Sequence, residues 1–189
     1  MSDYFVIDDF DEYNELFDHM MGSDNVPFFY RPSVVDDPEE RMYFTHCIQK
    51  DVYNTNGVPQ IFSQLFFPVY NMVYDLCKQY KIQMNGMYRA AINANTPTEG
   101  KNIYIPHVDS FTPTTQLLFY LNDSDGETIL YDEVHSGSID QPNYLEYEPK
   151  EIARIEPKRN RVLIFNGLRF HNAVTPSKNT RFVLVTSIF

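Results

Sequence analysis

Ile105-Pro106-His107-Val108-Asp109, followed by Thr115-Gln116-Leu117-Leu118-Phe119-Tyr120-Leu121, is the stretch on which the fold turns. Its second part reads as a strand, with Gln116, Leu118 and Tyr120 sharing one face by alternation. Similar short runs lie on either side: Met87–Ile92, Asn102–His107, Thr128–Tyr131, Arg154–Ile155, Arg161–Phe165 and Arg181–Ile188. Turn signals separate them at Asn95-Thr96-Pro97, Asp123-Ser124-Asp125-Gly126, Pro157 to Asn160 and Thr175 to Asn179. Upstream the period changes. Tyr4–Ile7 reads as a strand and Asp11–Met21 as a helix with Tyr13, Leu16, Phe17 and Met20 on one face, capped by Gly22. Residues 23–58 read as irregular loops with one or two short strands. Residues 59–80 form the best helix, with Phe62, Leu65, Phe66, Val69, Val73, Leu76 and Tyr80 in steps of three and four; Pro68 places its start nearby. Many strands after a helical portion predict a mainly β, α+β fold: a β-sandwich or jelly roll braced by N-terminal helices.

The chain's 189 residues fit one domain, with 1–83 as support and 84–189 as the core. No linker or internal repeat interrupts it. Fifteen basic against 26 acidic residues give a formal charge of -11, which disfavours a nucleic-acid partner. The basic tetrad Lys158-Arg159-Asn160-Arg161 reads as a turn. No apolar run is long enough to span a membrane, and the first residues carry no secretory pattern, so a cytoplasmic location is expected. Cys47 and Cys77, outside any metal-finger spacing, read as reduced core thiols.

Chemistry concentrates at His107 and Asp109. On a strand, residues two apart share a face, so an imidazole and a carboxylate can reach one ion. His171, after the strand Arg161–Phe165 and the turn Asn166-Gly167, supplies a third ligand. Two His and one carboxylate leave three coordination positions open, the ligand set of non-haem iron(II) oxygenases. The remaining polar residues read blandly. His135 is a solvated loop residue, and His19 and His46 are structural or surface. Asp8-Asp9, Asp36-Asp37 and Glu39-Glu40 are solvated surface. No phosphate-binding glycine loop and no Ser-His-Asp arrangement occurs.

The set Ile105–Asp109, Leu117–Asn122, Gly126-Glu127-Thr128, Arg161–Phe165, His171 and Arg181, over roughly residues 84–189, resembles the 2-oxoglutarate-dependent iron(II) dioxygenases, most closely their prolyl 4-hydroxylase-like branch. Phe5-Val6-Ile7-Asp8-Asp9-Phe10 is similar to that family's first strand. The resemblance implies a double-stranded β-helix, a jelly-roll, cupin-like barrel. It implies Fe(II) held by His107, Asp109 and His171, with 2-oxoglutarate and O2 as cosubstrates and ascorbate as a candidate reductant. It assigns Arg181 to the far carboxylate of 2-oxoglutarate, Tyr120 as its helper, and Thr186 and Arg89 as further neighbours. Two departures stand out: Asp125-Gly126 replaces the family's frequent Gly-Gly, and Arg181 stands where many prolyl hydroxylases carry Lys. The implied reaction is hydroxylation of a protein, peptide or small molecule, with peptidyl proline favoured, releasing succinate and CO2. The rivals are an oxidative nucleic-acid demethylase and a catalytically inactive jelly-roll binding module. The long polar segment Asp132 to Lys150 is either a substrate lid or a surface excursion.

Overall fold

The computed structural model describes residues 4–32, 42–50, 58, 60–100, 103–147 and 149–189. Asn102, the acidic pairs at 36–37 and 39–40, and the first three residues lie outside these. In chain order the elements are β1 (Tyr4–Ile7), α1 (Asn14–Gly22), β2 (Phe29–Arg31), β3 (Tyr43–Lys50), β4 (Gln60–Ile61), α2 (Phe66–Tyr80), β5 (Met87–Asn95), β6 (Thr115–Tyr120), β7 (Thr128–Val134), β8 (Glu151–Ile155), β9 (Val162–Asn166), β10 (Arg169–Ala173) and β11 (Arg181–Ile188).

Two antiparallel sheets face each other. The larger runs β1-β9-β6-β11-β5-β3-β2, with β4 beside β3, and the smaller runs β10-β7-β8. Alternation along each strand of the large sheet separates two environments. Leu117, Phe119, Ile164, Leu184 and Ile188 face the helices and join Phe17, Met20, Val69, Val73 and Leu76 in one core. Leu118, Tyr120, Leu163, Phe165, Val183 and Val185 face the small sheet and meet Leu130 and Ile155. This is the jelly-roll arrangement that the strand pattern predicts. It is not a closed barrel among the described residues. The sheets meet through side chains, with no ladder across the seam; the isolated bridges His107↔His171 and Ile103↔Val174 lay residues 103–107 along the edge of the small sheet.

Helix α2 begins at Phe66, so Pro68 sits in the first turn, where its missing N–H would have no intrahelical partner. Val69, Met72, Val73, Leu76 and Cys77 follow helical spacing and are all buried against the sheet. Lys81, at φ 57 and ψ 37, ends it in the left-handed conformation. Gly22 does not cap α1 in that way. It is the helix's last residue, and Ser23, extended at φ -90 and ψ 134, satisfies His19 O through its own N–H. Three strand expectations also change. β3 is eight residues long inside the stretch expected to be irregular. β10 emerges just after the expected turn Asn166-Gly167, where no strand is expected. Ile103 and His107 form isolated bridges instead of a strand.

The basic tetrad forms the predicted turn, with Asn160 at φ 67. Its arginines are spent inside the molecule: Arg159 pairs with Asp18 at 2.8 Å and Arg161 with Asp8 at 2.6 Å. Asp8 is therefore an anchored group, and the Arg161 hydrogen bond holds its carboxyl below the usual range. No helix among the described residues is long and apolar enough to cross a membrane.

Because Leu76 is fully buried in the core that joins the helices to the sheet, Leu76→Ala should cost about 2–5 kcal/mol of unfolding free energy. Denaturant unfolding measures this. An unchanged midpoint would mean that residues 1–83 do not share the core.

Candidate metal centre

The chain leaves the large sheet at the end of β9, turns through Gly167 and Leu168, and enters the small sheet as β10. That turn lies tight against β6: Gly167 N donates to Thr114 O at 2.8 Å, and a Cβ on Gly167 would overlap Thr114 Oγ1. β10 then pairs with β7, placing His171 opposite Leu130. The segment Ile105–Asp109 runs beside β10. His107 N donates to His171 O at 2.9 Å, and His171 N donates to His107 O at 3.0 Å. On its other side, Val108 N donates to Asn143 O and Leu145 N to Pro106 O. Part of the suspected lid therefore flanks the metal segment. The i, i+2 logic of a regular strand does not apply here, since Asp109 lies in a bend.

The three side chains nevertheless converge, with ligand atoms all within 4.8 Å of one another. Asp109 lies 4.0 Å from His107 Nε2 and 3.8 Å from His171 Nε2. Two ligands on one ion, each bonded at about 2.1 Å, can be at most about 4.2 Å apart, so both distances suit a shared ion. The tautomers suit it too. His107 Nδ1 is 2.8 Å from Ile105 O and His171 Nδ1 is 3.0 Å from Arg169 O. A carbonyl only accepts, so each Nδ1 carries the proton and each Nε2 keeps its lone pair for the ion.

Asp109 is held from both sides. Arg89 Nη1 lies 3.1 Å from Oδ1 and Gln116 Nε2 donates to Oδ2 at 2.6 Å. Ser187 Oγ donates to Gln116 Oε1 at 2.6 Å, which fixes the amide's orientation. Burial alone would raise the Asp109 carboxyl, but the Arg89 guanidinium beside it outweighs this and holds it well below the usual carboxylate range.

A cavity of about 430 Å³ joins this triad to Arg181. Arg181 is 5% exposed. It donates through Nη2 to Thr128 Oγ1 at 2.8 Å and through Nη1 to Asn95 Oδ1 at 3.3 Å. Its Nε is buried without a hydrogen-bond partner, and no carboxylate pairs with it among the described residues. Burial without a counter-charge lowers its pKa. Tyr120 lies behind this group, its ring 5.7 Å from the Arg181 guanidinium carbon and its hydroxyl donating to Thr128 Oγ1 at 2.7 Å. With both lone pairs of Thr128 Oγ1 occupied, its own proton is left for the cavity that Thr128 lines. A dicarboxylate spanning the ion and Arg181 fits this donor set.

Some expectations move. Arg89, implied as a further neighbour, lines the cavity, and so does Leu118. Gln116, on the same face of β6 as Leu118, holds Asp109. Thr186 faces the other side of β11, with its hydroxyl toward Leu117 O. Cys77 is a buried thiol, whereas Cys47 lines the cavity. His135 is 2% exposed, stacked on Phe111, with Nε2 on Gln141 O and Nδ1 accepting from Gly137 N. It is no solvated residue. His19 is exposed, while His46 is buried between Pro27 O and Ser63 Oγ. Thr128 and Asn95 escape the sequence reading. Their one signal is positional: Thr128 ends the Gly126-Glu127-Thr128 motif, and Asn95 is the register partner of Arg181.

No family model and no curated protein matches the sequence. Solved structures do match the fold. An oxidoreductase of the 2OG-Fe(II) oxygenase family from Burkholderia pseudomallei aligns with TM-score 0.65 and 12% identity, covering 98% of this chain and 84% of that one. A prolyl hydroxylase from Trichoplax adhaerens, in complex with a hypoxia inducible factor oxygen degradation domain peptide fragment, gives 0.58 and 16%, covering 100% and 84%. The epimerase SnoN, in complex with Fe3+, alpha ketoglutarate and nogalamycin RO, gives 0.62 and 10%, covering 98% and 78%. What the chain shares with them at these identities is the jelly-roll fold.

Proposed function

We propose that this chain is an iron(II)- and 2-oxoglutarate-dependent dioxygenase that hydroxylates a peptide or small-molecule substrate. The observation that carries the reading is a single cavity with a His-Asp-His cluster at one point and a buried, uncompensated guanidinium at another. Structural likeness to oxygenases supports it. His107, Asp109 and His171 would hold the ion. Arg181, with Thr128 beside it and Tyr120 behind, would hold the far carboxylate of 2-oxoglutarate, because a guanidinium in low dielectric binds a carboxylate as a fork. The chemistry supplied by the bound iron(II) and 2-oxoglutarate is oxidation of the substrate by O2 with decarboxylation of the cosubstrate to succinate. The chain's own work is placement. The backbone carbonyls of Ile105 and Arg169 keep both imidazoles neutral at Nε2, and Gln116 and Arg89 aim Asp109. Leu118, Val183 and Val185 form the dry wall between the ion and Arg181. Peptidyl proline is the first substrate to try, given the peptide-bound prolyl hydroxylase among similar structures.

The test is succinate production with Fe(II), 2-oxoglutarate and O2, alongside mass spectrometry of peptides, nucleosides and free amino acids for a gain of one oxygen. Succinate that rises with a hydroxylated product establishes the activity. An iron-loaded protein that neither binds nor turns over 2-oxoglutarate defeats the reading.

A further inference from the structure

Charge is distributed unevenly in this acidic protein. The chain carries -11 overall. Yet the described lining of the cavity holds Arg31, Lys50, Arg89 and Arg181 against one carboxylate, Asp109. Lys50 is exposed at the rim, its ammonium over the Phe62 ring 5.7 Å from the centroid, and is solvated there. Arg181 is matched by the far carboxylate of 2-oxoglutarate on the reading above. Iron(II) is then balanced by the near carboxylate of the cosubstrate and by Asp109, which leaves Arg89 unbalanced. One positive charge is left over in the loaded cavity, before Arg31 is added at its mouth.

That surplus sits on Arg89. Its side chain is 24% exposed, and its single hydrogen-bonded contact among the described residues is Nη1 on Asp109 Oδ1 at 3.1 Å. Once Asp109 also serves an ion, less of its charge is available to Arg89. The other close neighbours of Arg89 are the neutral Tyr43 hydroxyl and Cys47 thiol, so the rest of the guanidinium fork borders the cavity with no further carboxylate among the described residues. β5 carries Arg89 near one end and Asn95, beside Arg181, at the other; the ligand cluster lies at the Arg89 end. Polar groups continue along this wall, with Thr45 Oγ1 donating to Asn93 Oδ1 at 2.9 Å and Gln49 buried beside them. A buried positive surplus is costly unless a ligand offsets it. The wall that supplies it is separate from the one assigned to the cosubstrate.

We propose that the prime substrate carries a carboxylate, received by the free side of the Arg89 guanidinium next to the metal and drawn in by Arg31. This rests on the dioxygenase reading, and it specifies the substrate class. The carboxylate belongs either to a small free acid or to an Asp or Glu side chain of a peptide; the chemistry at Arg89 is the same.

The experiment uses full-length protein loaded with Mn(II) and 2-oxoglutarate under argon. It is dialysed against a mixture of free amino acids and short-chain hydroxy acids, against the primary amides of the same compounds, and against blocked peptides containing Glu or Gln. Retained compounds are read by mass spectrometry. Acids retained over their amides, or Glu peptides over Gln peptides, support the proposal and tell the two sources apart. Arg89→Gln should lower retention by roughly 30-fold or more, as expected for truncating one partner of a desolvated pair. Metal content is checked in this variant, because Arg89 touches Asp109. Arg31→Gln, remote from the metal ligands, should lower retention by roughly two- to fivefold, and this loss should shrink at high salt. Equal retention of acids and amides, no retention of either, or full retention by metal-replete Arg89→Gln overturns the proposal. Titration of 2-oxoglutarate in the same preparation separates the two ideas. If the cosubstrate binds and the acids do not, the substrate inference alone fails; if the cosubstrate does not bind, the dioxygenase reading fails.

Discussion

His107→Ala is expected to leave the chain without iron after gentle desalting, with affinity reduced by more than about 100-fold. Losing an outer hydrogen bond to a ligand already costs about 10–100-fold in metal affinity, and here a ligand itself is removed from a set of three. The two that remain, Asp109 and His171, keep their supports: Gln116 and Arg89 on the carboxylate, Arg169 O on the imidazole. The loss is therefore one of coordination, not of architecture. The backbone bridge between residues 107 and 171 does not need the imidazole. Circular dichroism should accordingly be unchanged, and His107→Gln should behave in the same way if the smaller residue loosens the segment. Metal analysis of wild type and both variants gives the answer. Full iron occupancy in His107→Ala would mean that the ion, if any, lies elsewhere.

The second large effect is at Arg181. Arg181→Ala should weaken 2-oxoglutarate binding by roughly 30-fold to several thousand-fold, the equivalent of about 2–5 kcal/mol for truncating one partner of a desolvated charge pair. The guanidinium is nearly inaccessible, its Nε is unsatisfied, and its neighbours Thr128 and Asn95 are neutral. Arg181→Lys should be milder, keeping the charge but not the fork. Tyr120→Phe should cost about 1 kcal/mol, because its hydroxyl acts on Thr128 and not on the ligand. Thr128→Val should cost about as much, by removing the donor that Tyr120 and Arg181 leave pointing at the cavity. Titration of 2-oxoglutarate into Mn(II)-loaded variants under argon checks the series. Arg181→Ala binding as tightly as wild type would remove the cosubstrate from this site.

The sequence exposes the parts of the molecule that obey a simple period. Strand β11 and the buried face of α2 are legible because one side of each meets a continuous apolar layer. His107, Asp109 and His171 are legible as residue types, but not for the reason the pattern suggests. Asp109 is in a bend, and His171 stands on a strand whose residues, Arg169-Phe170-His171-Asn172-Ala173, are too polar to announce it. β10 can be polar because much of its polarity finds partners inside the fold: Arg169 Nη1 donates to Tyr131 O, and Asn172 Nδ2 to Tyr104 O and the Tyr131 hydroxyl, although Asn172 Oδ1 is buried without a hydrogen-bond partner. His135 misleads in the opposite direction. Its polar neighbours in sequence suggest solvent, while Phe111 and Phe170, remote in sequence, bury it. Gln116 shows the limit of alternation, which gives the face but not whether a side chain meets a ligand or the residue that holds one.

The paired backbone hydrogen bonds between His107 and His171 bear on which ion a purified sample contains. Because main chain, not metal, sets the spacing of these two ligands, emptying the site should not collapse it, and stripping with a chelator followed by refilling should be reversible. Such a frame has little power to refuse a wrong guest. Nitrogen and oxygen donors bind copper(II), nickel(II) and zinc(II) more tightly than iron(II). Occupancy then follows the supply of metals during growth and handling, and a preparation silent in every assay is as readily explained by zinc as by a wrong substrate.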